Sequence, residues 1–167
     1  MSKTQENLKA AFAGESQANR KYLAFAKVAE VEGKPNLAKL FRATAEGETV
    51  HAHNHFKVLG GLKGSAENLK AAIEGETYET ETMYPQFIAD AQAEGEKGAE
   101  ISFGGANAVE KIHQGFYSQA LEKVEAGNDI EDEQYHVCGI CGNLFVGEIP
   151  DNCPICKAAK DRFIPIF

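Results

Sequence analysis

Glu48-Thr49-Val50-His51 and its echo Glu110-Lys111-Ile112-His113 decide how this chain is read. Each is a Glu-x-x-His inside a run of helical periodicity. On an α-helix, residues i and i+3 stand on one face about one turn apart. A carboxylate and an imidazole so placed can ligate one metal ion, and two such helices can hold two. Glu-x-x-His alone is a weak signal: Glu133-x-x-His136 has the same spacing. That third occurrence lies in a polar, non-periodic stretch beside cysteines and is set aside.

The flanking periodicity places the other two on core-facing stripes. The first stripe runs Leu8, Ala11/Phe12, Glu15, Ala18, Tyr22, Phe25/Ala26, Ala29 in a helix expected over about 4–32, with Ser2-x-x-Gln5 as its capping box. Gly33-Lys34-Pro35-Asn36 ends it and starts the second, whose stripe is Leu37, Leu40/Phe41, Thr44, Glu48, His51, His55, Leu59. Gly60–Gly64 is a flexible connection and Ser65 is the expected N-cap of the third helix. The third stripe reads Leu69, Ala72/Ile73, Glu76, Glu79, Met83, Phe87, Ala91 and closes at Gly95. The fourth reads Phe103, Ala106, Glu110, His113, Tyr117, Ala120/Leu121, Val124 and ends at Gly127-Asn128. Four amphipathic helices with short connections predict an all-α four-helix bundle. Gly104-Gly105 lies inside the fourth helix, at a cost of about 1 kcal/mol per Gly. Close packing or a kink would account for the pair.

The bundle carries an internal repeat. Gly14-Glu15-Ser16 recurs as Gly75-Glu76-Thr77 at an offset of 61, whereas Tyr22/Phe25 recur as Tyr84/Phe87, and Glu48/His51 as Glu110/His113, at 62. The offset grows by one between Glu76 and Tyr84, just before Pro85, which has no N–H for an i−4 partner. A single inserted residue is commonly absorbed as a π-bulge, so one is predicted within 77–85. A regular i→i−4 ladder through that stretch would refute it.

Glu15, Glu48, Glu76, Glu79, Glu110, His51 and His113 are thus directed to the interior. Five buried carboxylates are costly unless cations compensate them. A carboxylate-rich set with one or two imidazoles suits iron or manganese better than zinc. A Glu from each of two helices plus Glu-x-x-His from the other two is the di-metal bundle pattern that general accounts of helix bundles describe. His53 reads as solvated and His55 as a packing residue. Tyr22 and Tyr84 read equally well as core aromatics or as hydrogen-bond donors near the metals.

All four cysteines lie near the C-terminus, as Cys138-Gly-Ile-Cys141 and Cys153-Pro-Ile-Cys156. Two such pairs, with no apolar export segment within Met1–Gly14, predict a metal site in a reducing cytoplasm rather than disulfides. The acidic stretch 126–133 reads as a linker, which gives a bundle domain over 1–133 and a small β-rich metal-binding domain over 134–167. About 34 residues cannot build an adequate core without the metal. Tyr135, Phe145, Phe163 and Ile164 are the residues expected to pack around it. Spacing does not choose between a structural zinc ribbon, in general the commoner object, and a one-iron electron-transfer site. The net charge of −8 argues against nucleic acid and anionic membrane as partners, and no apolar run approaches the roughly 20 residues of a membrane span.

Gly14-Glu15-Ser16-Gln17-Ala18, the two Glu-x-x-His motifs, Gly75-Glu76-x-x-Glu79 before Met83-Tyr84-Pro85, and the two cysteine pairs together resemble the rubrerythrin family over nearly the full chain. That resemblance implies a ferritin-like di-iron bundle followed by a rubredoxin-like domain, with iron favoured over zinc in the four-cysteine site. It implies that Glu79 and His51 exchange at one iron as the redox state changes, with Tyr22 and Tyr84 as hydrogen-bond donors. The implied activity is reduction of hydrogen peroxide to water. Electrons would come from NAD(P)H through an external electron-transfer protein and the four-cysteine iron. Ala126 lies 13 residues beyond His113, about 20 Å along the helix, which predicts a four-cysteine site far from its own di-iron pair and a head-to-tail homodimer that brings it close to the partner's, as the resemblance also implies. Two other functions fit parts of the pattern. An iron-oxidising storage protein would have no use for Glu79 or an attached electron feed. A non-catalytic bundle with a structural zinc ribbon would hold zinc at the cysteines.

Overall fold

The computed structural model describes residues 2–167. By compactness the chain forms two units, Met1–Lys63 and Gly64–Phe167.

The first unit is a helical hairpin of α1 (Lys3–Val31) and α2 (Pro35–Val58). The Ser2 capping box is formed, with the Ser2 side chain accepting from the Gln5 N–H and the Gln5 side chain accepting from the Ser2 N–H. Gly33, at φ +70°, makes the left-handed turn between the helices. The seam is built almost wholly of alanine: Ala26 and Ala29 on α1, and Ala38, Ala45 and Ala52 on α2, are all buried. The three on α2 recur every seven residues, the spacing that keeps one face on a partner helix. Small side chains let the two backbones approach. The buried Asn19 amide fills the gap by donating to the Ala45 carbonyl at 2.7 Å and to Thr49 Oγ1 at 2.8 Å.

The second unit starts with a long irregular helix: α3 (Ser65–Tyr78), a π-helical segment (Glu79–Met83) and α4 (Tyr84–Glu94). The predicted π-bulge is there. Tyr84 N–H donates to the Glu79 carbonyl, five residues back, and Pro85 follows where its missing N–H costs no α-helical bond. Gly64, not Ser65, is the N-cap; Ser65 is the first helical residue and makes no cap hydrogen bond. Gly95 closes α4 at φ +76° and α5 (Lys97–Glu125) packs back on α3, the π segment and α4. The helix runs unbroken through Gly104-Gly105, and a Cβ at either would meet nothing within 4 Å among the described residues. Close packing inside the chain is therefore not the reason for that pair.

Residues 127–134 form no regular element, and the chain then enters a three-stranded antiparallel sheet of order β2-β1-β3. β1 is Tyr135–Cys138, β2 is Leu144–Val146 and β3 is Phe163–Ile166. Period-two alternation turns Cys138, Phe145 and Phe163 inward, where they form the core with Cys153. The Phe145 and Phe163 rings lie 4.5 Å apart. Tyr135 and Ile164, expected in that core, fall on the opposite parity: Ile164 is exposed and Tyr135 lines a crevice outside it. Fold class is as expected, four helical runs followed by a small β-rich module.

Candidate metal centres

Each helical hairpin brings one carboxylate-rich triad together. In the first unit, metal-binding atoms of Glu15, Glu48 and His51 lie within 4.8 Å of one another. His51 Nδ1 is 2.9 Å from Glu48 Oε2, and the His51 side chain is 58% exposed. In the second unit Glu76, Glu110 and His113 are gathered in the same way. His113 Nδ1 is 2.8 Å from Glu110 Oε2 and 3.8 Å from Glu76 Oε1. The i,i+3 spacing does the local work in both, since one helical turn sets the Glu–His contact.

Glu79 stands beside the second triad without joining its cluster. It is the first residue of the π segment, in the stretch that is one residue longer than its counterpart in the first half. Burial, and then the Glu110 carboxylate, raise its pKa. Glu76 is pushed up to about 7 by burial and by Glu110. Tyr84 is raised by burial and then by Glu79, Glu110 and Glu76, so its phenol faces these carboxylates. Like charges crowded in a partly dry site favour the protonated form, and a cation there would reverse each shift. All-oxygen-plus-imidazole donors, one His per triad, fit iron or manganese.

The repeat reaches further than the ligands. Tyr22, Phe25 and Phe41 form an aromatic triad in the first unit, with centroids 5.6–6.4 Å apart. Tyr84, Phe87 and Phe103 form its copy in the second at 5.5–6.4 Å, each ring 62 residues on. Sequence reading paired only Tyr and Phe; applying the same offset to Phe41 would have found Phe103. Ser16 donates to the Phe12 carbonyl as Thr77 does to that of Ile73. His53 is exposed and His55 half-buried, and neither belongs to a triad.

The four cysteines converge. Cys138 and Cys156 sulfurs are 3.6 Å apart, as are those of Cys141 and Cys153. Sulfurs bound at about 2.3 Å to one tetrahedral metal stand about 3.8 Å apart, whereas a disulfide would need about 2.05 Å. The set is therefore shaped for a metal. Two matching turns hold it. Gly142 N–H donates to the Cys138 carbonyl and Lys157 N–H to that of Cys153, while the Cys138 and Cys153 amides donate to the Asn143 and Ala158 carbonyls. Gly142 and Lys157 both have positive φ, +83° and +64°, Lys157 being the one non-glycine so placed among the described residues. Burial pushes the Cys138 thiol up, but the Cys141 and Ile140 amides and neighbouring thiols outweigh it and bring it down to about 7. His136 sits on β1, so the third Glu-x-x-His is not helical and makes no cluster.

The same module rests on α5. A methyl group on Gly142 would stand 4.0 Å from Val109 Cγ1. The chain doubles back after α5, and the turn after Cys141 lies against the residue preceding Glu110.

A family profile described as Rubrerythrin matches residues 6–121, and one described as Rubrerythrin, rubredoxin-like domain, matches residues 136–164. The chain belongs to the rubrerythrin family. It is 36% identical to Rubrerythrin-2 of Clostridium acetobutylicum, covering 96% of this chain and 95% of that one. It is 38% identical to nigerythrin of Nitratidesulfovibrio vulgaris, covering 96% and 85%. A solved structure titled as the fully reduced, all-ferrous state of nigerythrin matches at 37% identity and a TM-score of 0.59, over 99% of this chain and 88% of that one. Membership carries the family's cofactors, a di-iron centre and a rubredoxin-like iron held by four cysteines, and the peroxidase type of oxidoreductase function. Among the described residues no helix is long and apolar enough to cross a membrane.

Proposed function

We propose that this protein is a non-haem di-iron peroxidase that reduces hydrogen peroxide to water. The observation that carries the reading is the duplicated carboxylate–histidine triad with a further carboxylate, Glu79, beside it, in a chain that also carries a four-cysteine metal site. Glu15, Glu48 and His51 hold one iron and Glu76, Glu110 and His113 the other, with Glu79 as the carboxylate that exchanges with His51 at one iron. Residues 1–133 form the peroxidase domain and 134–167 the electron-entry domain, whose iron is held by Cys138, Cys141, Cys153 and Cys156.

When bound, the iron pair supplies two electrons and positive charge to the substrate's two oxygens. The protein's part is to hold and release protons and to hold the ligands in reach. Glu79, which stands beside the second triad without joining it, is placed to carry a proton when it is off the metal. Tyr84 and Tyr22 donate hydrogen bonds from their phenols, and His51, largely exposed, is free to exchange with Glu79 as a ligand. The electron source is NAD(P)H acting through an external electron-transfer protein in the cytoplasm, and the working form is a homodimer.

Anaerobic single turnover tests this. The protein is fully reduced, one equivalent of hydrogen peroxide per di-iron site is added, and the visible bands of the four-cysteine iron are followed. Their rapid return after di-iron oxidation supports the peroxidase. Bands that stay reduced while O2 oxidises the iron pair quickly would favour an iron-oxidising protein instead. Zinc at the four cysteines would sink the electron path.

A further inference from the structure

Thr80 is a polar side chain only 5% exposed, and it belongs to neither triad. Its hydroxyl donates to the Glu76 carbonyl at 2.9 Å and lies 3.1 Å from the Thr77 carbonyl, both on its own helix. At the offset of 61, its counterpart in the first hairpin is the buried Asn19, which reaches across to Ala45 and Thr49 of α2. Ala45 in turn corresponds to Asn107 of α5, whose Oδ1 is buried without a partner among the described residues. One position therefore fastens two helices together in the first hairpin and is turned back on its own backbone in the second.

The backbone gives the reason. Glu79 N–H donates to the Gly75 and Glu76 carbonyls, four and three residues back, whereas Tyr84 N–H donates to the Glu79 carbonyl, five back. The extra residue is thus absorbed after Glu79, and Thr80 is the first residue of the wider turn. That placement decides where Glu79 points. Glu76 and Glu79 share a face as i and i+3. With the extra residue absorbed between them, three steps would turn about 200° instead of about 300°, and Glu79 would leave the face of Glu76. Pro85, without an N–H, bounds the wide turn downstream. Upstream, Gln114 of α5 donates to Thr77 Oγ1 at 2.6 Å, and Thr77 Oγ1 donates to the Ile73 carbonyl at 2.6 Å. Thr80 adds a hydroxyl donor where the ladder changes spacing, and a threonine bonded back to the i−4 carbonyl bends and loosens a helix at that point. We propose that Thr80 is a positioning residue: its hydroxyl, on the Glu76 and Thr77 carbonyls, fixes the π turn after Glu79 and so keeps Glu79 beside the second triad. This rests on the reading that Glu79 serves that triad, and it adds what holds Glu79 there. The extra residue requires a wide turn somewhere before Tyr84; Thr80 sets where.

The test is amide-resolved hydrogen exchange on the full chain. Thr80→Val keeps the shape and the burial and removes the hydroxyl; Thr80→Ser keeps the hydroxyl. In Thr80→Val the Tyr84 amide exchanges at least tenfold faster while the amides of α5 keep their rates, and Thr80→Ser restores protection. Unchanged Tyr84 exchange in Thr80→Val overturns the proposal. An equal rise across α3, α4 and α5 also overturns it, because that is the signature of packing alone. If Thr80→Val does not fold, Thr80→Asn, which carries the first hairpin's residue, decides by the same reading: faster exchange at Tyr84 supports the proposal and unchanged exchange overturns it. Peroxide turnover falls several-fold in Thr80→Val and recovers in Thr80→Ser. If the wild type reduces no peroxide, it is the peroxidase reading that falls, and the Tyr84 exchange still decides the role of Thr80.

Discussion

Glu76 ties metal uptake to pH. Its carboxyl is pushed up to about 7 in the metal-free protein by burial and by Glu110, against an ordinary carboxylate near 4.5. The folded, metal-free protein therefore binds more protons than the unfolded chain between these values. The contribution of Glu76 to metal-free stability is fully present below pH 4.5 and is lost as pH rises through 7. A bound cation reverses the sign, because the ligand must be deprotonated. With a pKa of about 7, Glu76 is about nine-tenths protonated at pH 6 and about one-tenth at pH 8, so proton competition alone weakens the second triad roughly tenfold at the lower of these values. An ordinary imidazole also titrates in this range, so the measurement has to be a difference. Manganese or ferrous iron is titrated anaerobically by calorimetry in two buffers of different ionisation enthalpy. The wild type should release close to one proton more per chain at pH 6 than Glu76→Gln, and almost none more at pH 8. The same release from both proteins at pH 6 would show that Glu76 does not carry this proton and refute the reasoning.

Other outcomes are equally direct. Lys157 holds a left-handed backbone at φ +64° that its twin Gly142 adopts without strain, so Lys157→Gly should stabilise the metal-loaded small domain by up to about 1 kcal/mol; denaturant midpoints followed at the absorption of the four-cysteine iron would check it, and a loss of stability would show that the Lys157 bond to the Pro154 carbonyl matters more. Removing the metal from the four cysteines, or Cys153→Ser, should abolish amide protection in Tyr135–Cys138 and Phe163–Ile166, because Cys138, Phe145, Cys153 and Phe163 are the whole buried core there; hydrogen exchange should show α1–α5 keeping theirs. Deleting Glu79 should turn the π segment into regular α-helix with both flanks in register, and lower peroxide turnover about 10–100-fold. A chain that unfolds on this deletion would mean that the segment is needed for packing rather than for the site.

Legibility in the sequence followed covalent periodicity. The i,i+3 ligand pairs and the Cys-x-x-Cys turns are local, so spacing alone predicted their convergence. A change of offset from 61 to 62 was enough to locate the π segment, because an inserted residue must be absorbed somewhere before Tyr84. What spacing did not carry was tertiary. The linker 126–133 has no period, so nothing in it says that the chain doubles back onto Val109. Ser65 looked like a cap by composition, but Gly64 precedes it at φ −68° and ψ 160° and takes the cap position, which leaves Ser65 inside the first turn.

The two halves also differ in a way that follows from what the second one holds. Ala38, Ala45 and Ala52, the close seam of the first hairpin, correspond 62 residues on to Glu100, Asn107 and Gln114. Gln92 donates to Glu100, and Gln114 donates to Thr77 Oγ1 at 2.6 Å across to α3. Asn107 leaves a buried Oδ1 without a partner among the described residues. Polar side chains longer than alanine cannot make the same close seam, so the second hairpin is spaced by hydrogen bonds rather than by methyl contact. A helix with an extra residue needs that latitude, since its π turn is wider than the α turn that an alanine seam would fit. Duplication supplied matched ligands on both hairpins; Glu79 in the lengthened π segment and the polar seam are what make one triad chemically unlike the other.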